Sequence, residues 1–335
     1  MNLPKYFLTS GSYISIPNTK KPRVILAVQH QHIARNSFEL FQPFSKQGKS
    51  LKLCLKFLFC NFNSISKKIY KEDYIEPSDF ISYLENKLNK SIVPSLYMAT
   101  AEDKVVLQLQ TPEAHLIGYL KFPLSELGTS RLKTEKKAID ILSSKGIIPN
   151  YLLFNHYESK PFLLLPPILG SSKIIIRNDL NILLKRFNRK VSFPLSEHPR
   201  ILEIINQLKH HHLNQFIPII KDINHSSKTK YSLVYEHGDF APWNIITNQN
   251  SSIPFDFEYF IEDGLEHLDL IKYYYQIGKL LYKKDGLALL EYLQKNINLP
   301  EAIQLIRVFL IKEILQCHTE GKHYHTEVNI LNLYN

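Results

Sequence analysis

Cysteine is scarce in this chain: Cys54, Cys60 and Cys317 are the only three among 335 residues. Three scattered thiols are too few for a disulfide framework or a closed zinc site, and they fit a reducing cytoplasm. No apolar run reaches eighteen residues, so no helical membrane span is expected. The opening MNLPKYFLTSGSY has no apolar core behind a charged tip, so secretion is not expected and a cytoplasmic location is. Acidic residues are missing from one place in particular. Residues 1 to 71 hold Glu39 alone against twelve basic residues, whereas the rest of the chain is close to neutral. The formal net charge of +10 is therefore carried by the first fifth. An asymmetry of that kind points to an acidic partner for that segment.

What is present supports a substantial fold. With 44% apolar and 12% aromatic residues, the chain can bury a sizeable core. Its length fits two domains, or one domain in two lobes with an extension. The first ninety residues read as that extension. Within it, KSLKLCLKFLFCNF (49 to 62) alternates as a strand would, yet Leu51, Leu55, Leu58, Phe59 and Phe62 also share one helical face. A helix with lysines on its flank is the preferred reading. Its apolar face either packs on the next domain, which is favoured, or lies on an anionic membrane surface.

Residues 94 to 165 read as a small sheet with one helix. SLYMATA, KVVLQLQ and HLIGYLKF form three strands, with Pro112 in the second turn. TSRLKTEKKAIDILSSKG forms a helix, capped by Thr129 or Ser130 at its start and by Gly146 at its end. NYLLFNHY and KPFLLLPP supply two further strands. From about residue 173 apolar residues recur at helical spacing, with a break near Asp285-Gly286. The one strand pairing expected there joins YSLVYEHG to SIPFDFEYF.

That last region carries the chemistry. In EHGDFAPWNIITNQNSSIPFDFEYF, Asp239 and Asn244 flank a short loop containing Pro242, and Asp256 ends an apolar run that a strand can hold rigidly. A carboxylate that can orient or deprotonate a hydroxyl, with an amide oxygen and a second carboxylate that suit Mg²⁺, are the parts phosphoryl transfer needs. HGDFAPWN resembles the His-Gly-Asp-four-residues-Asn loop of the aminoglycoside phosphotransferase and choline kinase-like family, and IPFDFEYF resembles that family's Asp-x-Glu/Asp metal motif. The resemblance is strong over residues 231 to 272 and extends over roughly 94 to 335. It implies an α+β, two-lobed protein-kinase-like fold, with a small antiparallel-sheet N-lobe, a mostly helical C-lobe and an N-terminal extension. The corresponding boundaries are 1–93, 94–165 and 166–335.

By the resemblance, Asp239 is the base or hydroxyl-orienting group, Asn244 and Asp256 are Mg²⁺ ligands, and Glu258 supports the metal shell. His237 shapes the loop, and Asp269 in GLEHLDLIKY braces it. In this fold a strand lysine binds phosphates and pairs with a helix glutamate; Lys121 in GYLKF and Glu135 in RLKTEKKAIDIL are the candidates, with Lys133 and Lys136 as competing surface lysines. LLLPPILG (163 to 170) is the expected hinge, whose backbone meets the nucleotide base. One departure stands out: the phosphate-covering loop, ATAEDK (99 to 104), has no glycine.

The activity so implied is transfer of the γ-phosphate of ATP, or GTP, with Mg²⁺ to a hydroxyl of a small molecule: a sugar, amino sugar, aminoglycoside or choline-like alcohol. The glycine-free loop keeps a rival in view, a weakly active or inactive kinase-like protein that binds nucleotide or a partner. A protein kinase ranks lower because the HRD, DFG and APE signatures are missing. The consecutive His210, His211 and His212 cannot all face one metal from a helix. Tyr273, Tyr274 and Tyr275 read as a core helix with aromatic faces. For the basic segment, residues 1 to 71, an anionic membrane or an acidic glycan ranks above nucleic acid, since no reader motif is present.

Overall fold

The computed structural model describes residues 3–17, 22–41, 46–70, 72–74, 78–98, 103–249 and 251–334. The chain divides into two compact units, Met1–Ile139 with Pro149–Pro167, and Asp140–Ile148 with Ile168–Asn335. The second crossing to the C-terminal unit falls within the expected hinge stretch, between Pro167 and Ile168.

The first unit contains strands β1 (Gly11–Ile16), β2 (Val24–Ala27), β3 (Glu72–Tyr74), β4 (Val93–Met98), β5 (Lys104–Gln110), β6 (Leu116–Pro123), β7 (Leu153–Tyr157) and β8 (Lys160–Leu165). Among the described residues these form one antiparallel sheet in the order β3-β1-β2-β4-β5-β6-β8-β7. Its helices are α1 (Leu3–Phe7), α2 (Gln31–Ser37), α3 (Lys46–Asn61), α4 (Asn63–Tyr70), α5 (Asp79–Leu88) and α6 (Glu126–Ser144), whose last residues, from Asp140, belong to the second unit. The five strands expected between residues 94 and 165 are present, as is the helix expected at 49 to 62.

The boundary at residue 93 is a correction. Among the described residues of 1–93, strands β1, β2 and β3 are not appended to the sheet but built into it. Strand β2 pairs with β4 through Val24↔Tyr97 and Ile25↔Leu96, so β4 is an interior strand. The physical reason lies in how β1 and β2 are covered. Tyr13, Ile25 and Ala27 join Phe7, Phe80 and Leu84 in the core shared with Leu96, Leu107 and Phe122. Ile14, Ile16, Val24, Leu26 and Val28 point the other way, into a second cluster with Ala34, Phe38 and Phe59. A strand covered on both faces reads as a continuous apolar run rather than an alternating one, and VILAV (24 to 28) is such a run.

Helix α6 begins one turn earlier than the sequence suggested. The Gly128 N–H donates to Ser125 Oγ at 3.1 Å, so Ser125, not Thr129 or Ser130, serves the helix start. Gly128 is needed there: a Cβ would fall 2.1 Å from the Asp103 carbonyl oxygen. Arg131 then binds Asp103 at 2.5 Å and fixes the helix against the start of β5. The end is as expected, with Gly146 at φ +67° and Ile147 N–H bonded to the Leu142 carbonyl at 2.9 Å.

The second unit is mainly helical, with α7 (Arg177–Lys185), α8 (Pro199–His210), α9 (Ile217–Ser226), α10 (Leu268–Gln276), α11 (Gly286–Asn296), α12 (Ala302–Thr319) and α13 (His325–Asn332). Asp285 caps α11 through Gly286 N–H, which accounts for the break read at that dipeptide. Strands β9 (Asn188–Pro194), β10 (Lys230–Glu236) and β13 (Ile261–Leu265) form a small sheet in the order β13-β10-β9, and β11 (Ile245–Thr247) pairs with β12 (Ser252–Pro254). The expected pairing of YSLVYEHG with SIPFDFEYF is thus corrected. Ser252–Pro254 turns back on Ile245–Thr247 instead, and β10 takes its partners from β9 and β13. Tyr273, Tyr274 and Tyr275 are all buried in α10, as a core helix requires.

Candidate active site

In the first unit, one buried ion pair stands out. Lys121 sits in β6 between two neighbours, opposite Val106 of β5 and Leu163 of β8. Glu135 lies on the buried stripe of α6 with Leu132, Ala138, Ile139 and Leu142. A carboxylate on such a stripe needs a partner, because a lone buried charge is costly. Lys121 Nζ supplies it, at 2.8 Å from Oε1 and 2.7 Å from Oε2. The lysine is 7% exposed and the glutamate 1%. Residues 99–102 of the phosphate-covering loop lie outside the described residues.

In the second unit, strand β10 delivers the chain into His237-Gly238-Asp239. Gly238 has φ +81°, and a Cβ there would lie 2.2 Å from the Tyr259 carbonyl oxygen, so only glycine suits the turn. Two backbone donors of the turn are taken by one side chain: Asp269, in the first turn of α10, accepts from His237 N–H at 2.7 Å and Gly238 N–H at 3.0 Å. His237 Nε2 donates to the Phe255 carbonyl at 2.9 Å, and its Nδ1 accepts the Asp239 N–H at 3.3 Å. Its ring rests on Phe257 with centroids 4.5 Å apart. His237 and Asp269 thus tie the loop to the following segment and to α10.

The Asp239 side chain is 28% exposed and firmly oriented. Asn244 Nδ2 donates to its Oδ2 at 3.2 Å and to its backbone oxygen at 2.9 Å. Gln276 Nε2 donates to Oδ1 at 3.1 Å, and Lys272 Nζ lies 3.7 Å from the same oxygen. Since Asn244 donates through its nitrogen, its oxygen is left as an acceptor. The β11–β12 hairpin then brings the next acids alongside. The pair Ile245↔Pro254 sets Asn244 opposite Phe255, whose N–H bonds the Asn244 carbonyl at 3.0 Å. Asp256 follows directly, with φ +69°, a left-handed conformation that Asp tolerates better than most residues and that often marks a working site. The carboxylate oxygens of Asp256 and Glu258 lie within 4.8 Å of one another.

Behind this layer is a buried charge network that the motif did not reveal. Lys272 binds Glu313 of α12 at 2.6 Å. Lys312 binds Glu236 at 3.0 Å, and Arg200 Nε approaches the same carboxylate at 3.5 Å. Burial alone would lower the Lys272 ammonium, but the carboxylates of Glu313 and Asp239 overcome it and hold it above its ordinary value. Asp269 is pushed up to about 6, first by burial and then by repulsion from Glu236. The sequence signal for these residues was slight: a lysine inside LDLIKYYYQ, and Lys-Glu inside the apolar run VFLIKEIL.

No protein-family model matches this chain, and no curated protein matches it. Solved structures match its fold. A macrolide 2′-phosphotransferase from Brachybacterium faecium, solved as the apoenzyme, aligns at TM-score 0.50 and 11% identity over 75% of this chain and 96% of its own. A thermostable mutant of an aminoglycoside phosphotransferase, in a ternary complex with ADP and hygromycin B, aligns at TM-score 0.50 and 9% identity over 73% and 92%. At these identities the likeness is one of fold. The chain has the α+β protein-kinase-like fold shared by these small-molecule kinases, with an antiparallel sheet in its N-terminal unit and a mostly helical C-terminal unit.

Proposed function

We propose that this chain is a small-molecule kinase that moves the γ-phosphate of ATP or GTP to an alcohol hydroxyl. The observation that carries the reading is the setting of Asp239: an accessible carboxylate held by Asn244 and Gln276, on a turn clamped by Asp269. Asp239 orients the incoming hydroxyl and takes its proton as the oxygen bonds to the γ-phosphorus. The bond from that phosphorus to the β–γ bridging oxygen breaks, and the nucleoside diphosphate leaves. Positioning and charge neutralisation supply most of the acceleration, so no covalent enzyme intermediate is needed.

The donor set fits a hard divalent cation: two neighbouring carboxylates, Asp256 and Glu258, and the acceptor oxygen of the Asn244 amide. Bound there, Mg²⁺ supplies charge that offsets the phosphate oxygens. Lys121, held by Glu135, is assigned to the α- and β-phosphates, and the backbone of residues 163–170 to the base. The acceptor is a sugar, amino sugar, aminoglycoside or choline-like alcohol. The kinase-like binding protein is the rival that the glycine-free ATAEDK loop favours. The test is transfer of label from γ-labelled ATP and GTP with Mg²⁺ across a panel of those alcohols. Label on one acceptor class supports the kinase and names that class. Melting raised by MgATP with no transfer to any acceptor supports the rival.

A further inference from the structure

Among the described residues, helix α3 is covered on one side only. Phe59 is fully buried, and Leu55 packs against the cluster that includes Ile14, Val24, Leu26 and Phe38. The other side carries Leu53, 69% exposed, and Phe57, 59% exposed. Phe62, just past the helix, is 49% exposed, and Ile65 of α4 is 62% exposed. Leu53 and Phe57 are one helical turn apart, and the Phe57 and Phe62 rings meet edge to face with centroids 5.8 Å apart. Ile65 N–H bonds the Phe62 carbonyl at 3.0 Å, which keeps those two residues on one turn. The four side chains form a single apolar ridge rather than scattered surface hydrophobics.

Cations flank this ridge. Lys49 and Lys68 are exposed on α3 and α4. Lys52 and Lys56 both pair with Glu39, so that group of three retains positive charge. Glu39 is the only acidic residue in the first 71. We propose that the α3–α4 ridge docks on an anionic lipid surface. Leu53, Phe57, Phe62 and Ile65 enter the boundary between headgroups and acyl chains, and the lysines meet the lipid phosphates. An acidic glycan or a nucleic acid would satisfy the lysines but offers no apolar layer for four exposed side chains. A neutral protein surface would do the reverse. An anionic bilayer supplies both at one depth. The proposal does not depend on phosphotransfer, and its test reads binding.

The test is co-sedimentation of the full chain with vesicles of phosphatidylcholine alone and of phosphatidylcholine mixed with phosphatidylglycerol. The chain pellets with the mixed vesicles, not with the neutral ones, and added salt weakens the binding. The double variant Leu53→Ser/Phe57→Ser lowers partitioning about tenfold or more, and Lys49→Glu/Lys68→Glu does the same. Both variants keep the wild-type melting temperature, since all four side chains are exposed. Failure to pellet with anionic vesicles overturns the proposal, as does equal partitioning of wild type and both variants. A dimer in lipid-free solution that Leu53→Ser/Phe57→Ser dissociates would make the ridge a protein interface and also overturn it.

Discussion

Replacing Lys121 by Met tests whether the buried pair of the first unit is functional or merely structural. The side chain keeps its length and loses its charge, leaving the Glu135 carboxylate, 1% exposed, without the ammonium that both its oxygens touch. Breaking a desolvated pair in this way costs about 3–5 kcal/mol, because the remaining charge stays buried. In the double variant Lys121→Met/Glu135→Leu the charge is gone, and stability returns to within about 1 kcal/mol of wild type. On the proposed assignment of Lys121 to the nucleotide phosphates, transfer does not return. Urea unfolding of the three proteins gives the energies, and γ-labelled ATP gives the activity. Either of two results refutes the reasoning: a Lys121→Met cost below about 1 kcal/mol, which would mean the pair is solvated, or wild-type transfer by the double variant.

Lys272→Met removes the ammonium 3.7 Å from Asp239 Oδ1, and it should lower kcat about tenfold with the nucleotide KM unchanged, read by steady-state kinetics. Asp269→Ala leaves the His237 and Gly238 N–H groups without their acceptor at about 1–3 kcal/mol each, partly offset by relief of repulsion with Glu236. In the wild type, folded Asp269 holds a proton that the unfolded chain has released. Its contribution therefore falls as pH rises from 3.8 through about 6, and the stability gap to Asp269→Ala narrows over that window in urea titrations. Glu301, held down to about 2 against burial by hydrogen bonds from Ser227, Lys228 N–H and Tyr231, behaves oppositely. Its contribution is complete above pH 4.5 and lost as pH falls through about 2, so thermal melts of wild type and Glu301→Gln should converge in acid.

In each unit, the candidate residues legible in the sequence are those held by short stretches of chain. Asp239, Asn244 and Asp256 are joined by one turn and one three-residue hairpin, so their spacing already implies their proximity. Lys121 and Glu135 lie on a strand and the helix that follows it, fourteen residues apart. What stayed hidden depends on distant chain. Glu313 reaches Lys272 across 41 residues, and neither has a neighbour in sequence that marks it out. The same limit explains the fold. GSYISI and VILA read as part of an extension because nothing local says that Val24 will face Tyr97. Likewise the partner of YSLVYEHG is set by register with β9 and β13, not by its apolar pattern. The start of α6 lies one turn before Thr129 and Ser130 because Ser125, Thr129 and Ser130 are all fair caps, and the packing of Gly128 on Asp103 decides among them.

In the proposed reaction, Asp239 directs a hydroxyl to the γ-phosphate of a bound nucleotide. The most direct measurement compares wild type with Asp239→Asn, following label from γ-ATP to the acceptor and melting with and without MgATP in the same preparations. MgATP should stabilise both proteins equally, and transfer should be at least about a thousandfold slower in the variant, since the amide cannot take the proton. Equal transfer by both proteins would contradict this role for Asp239.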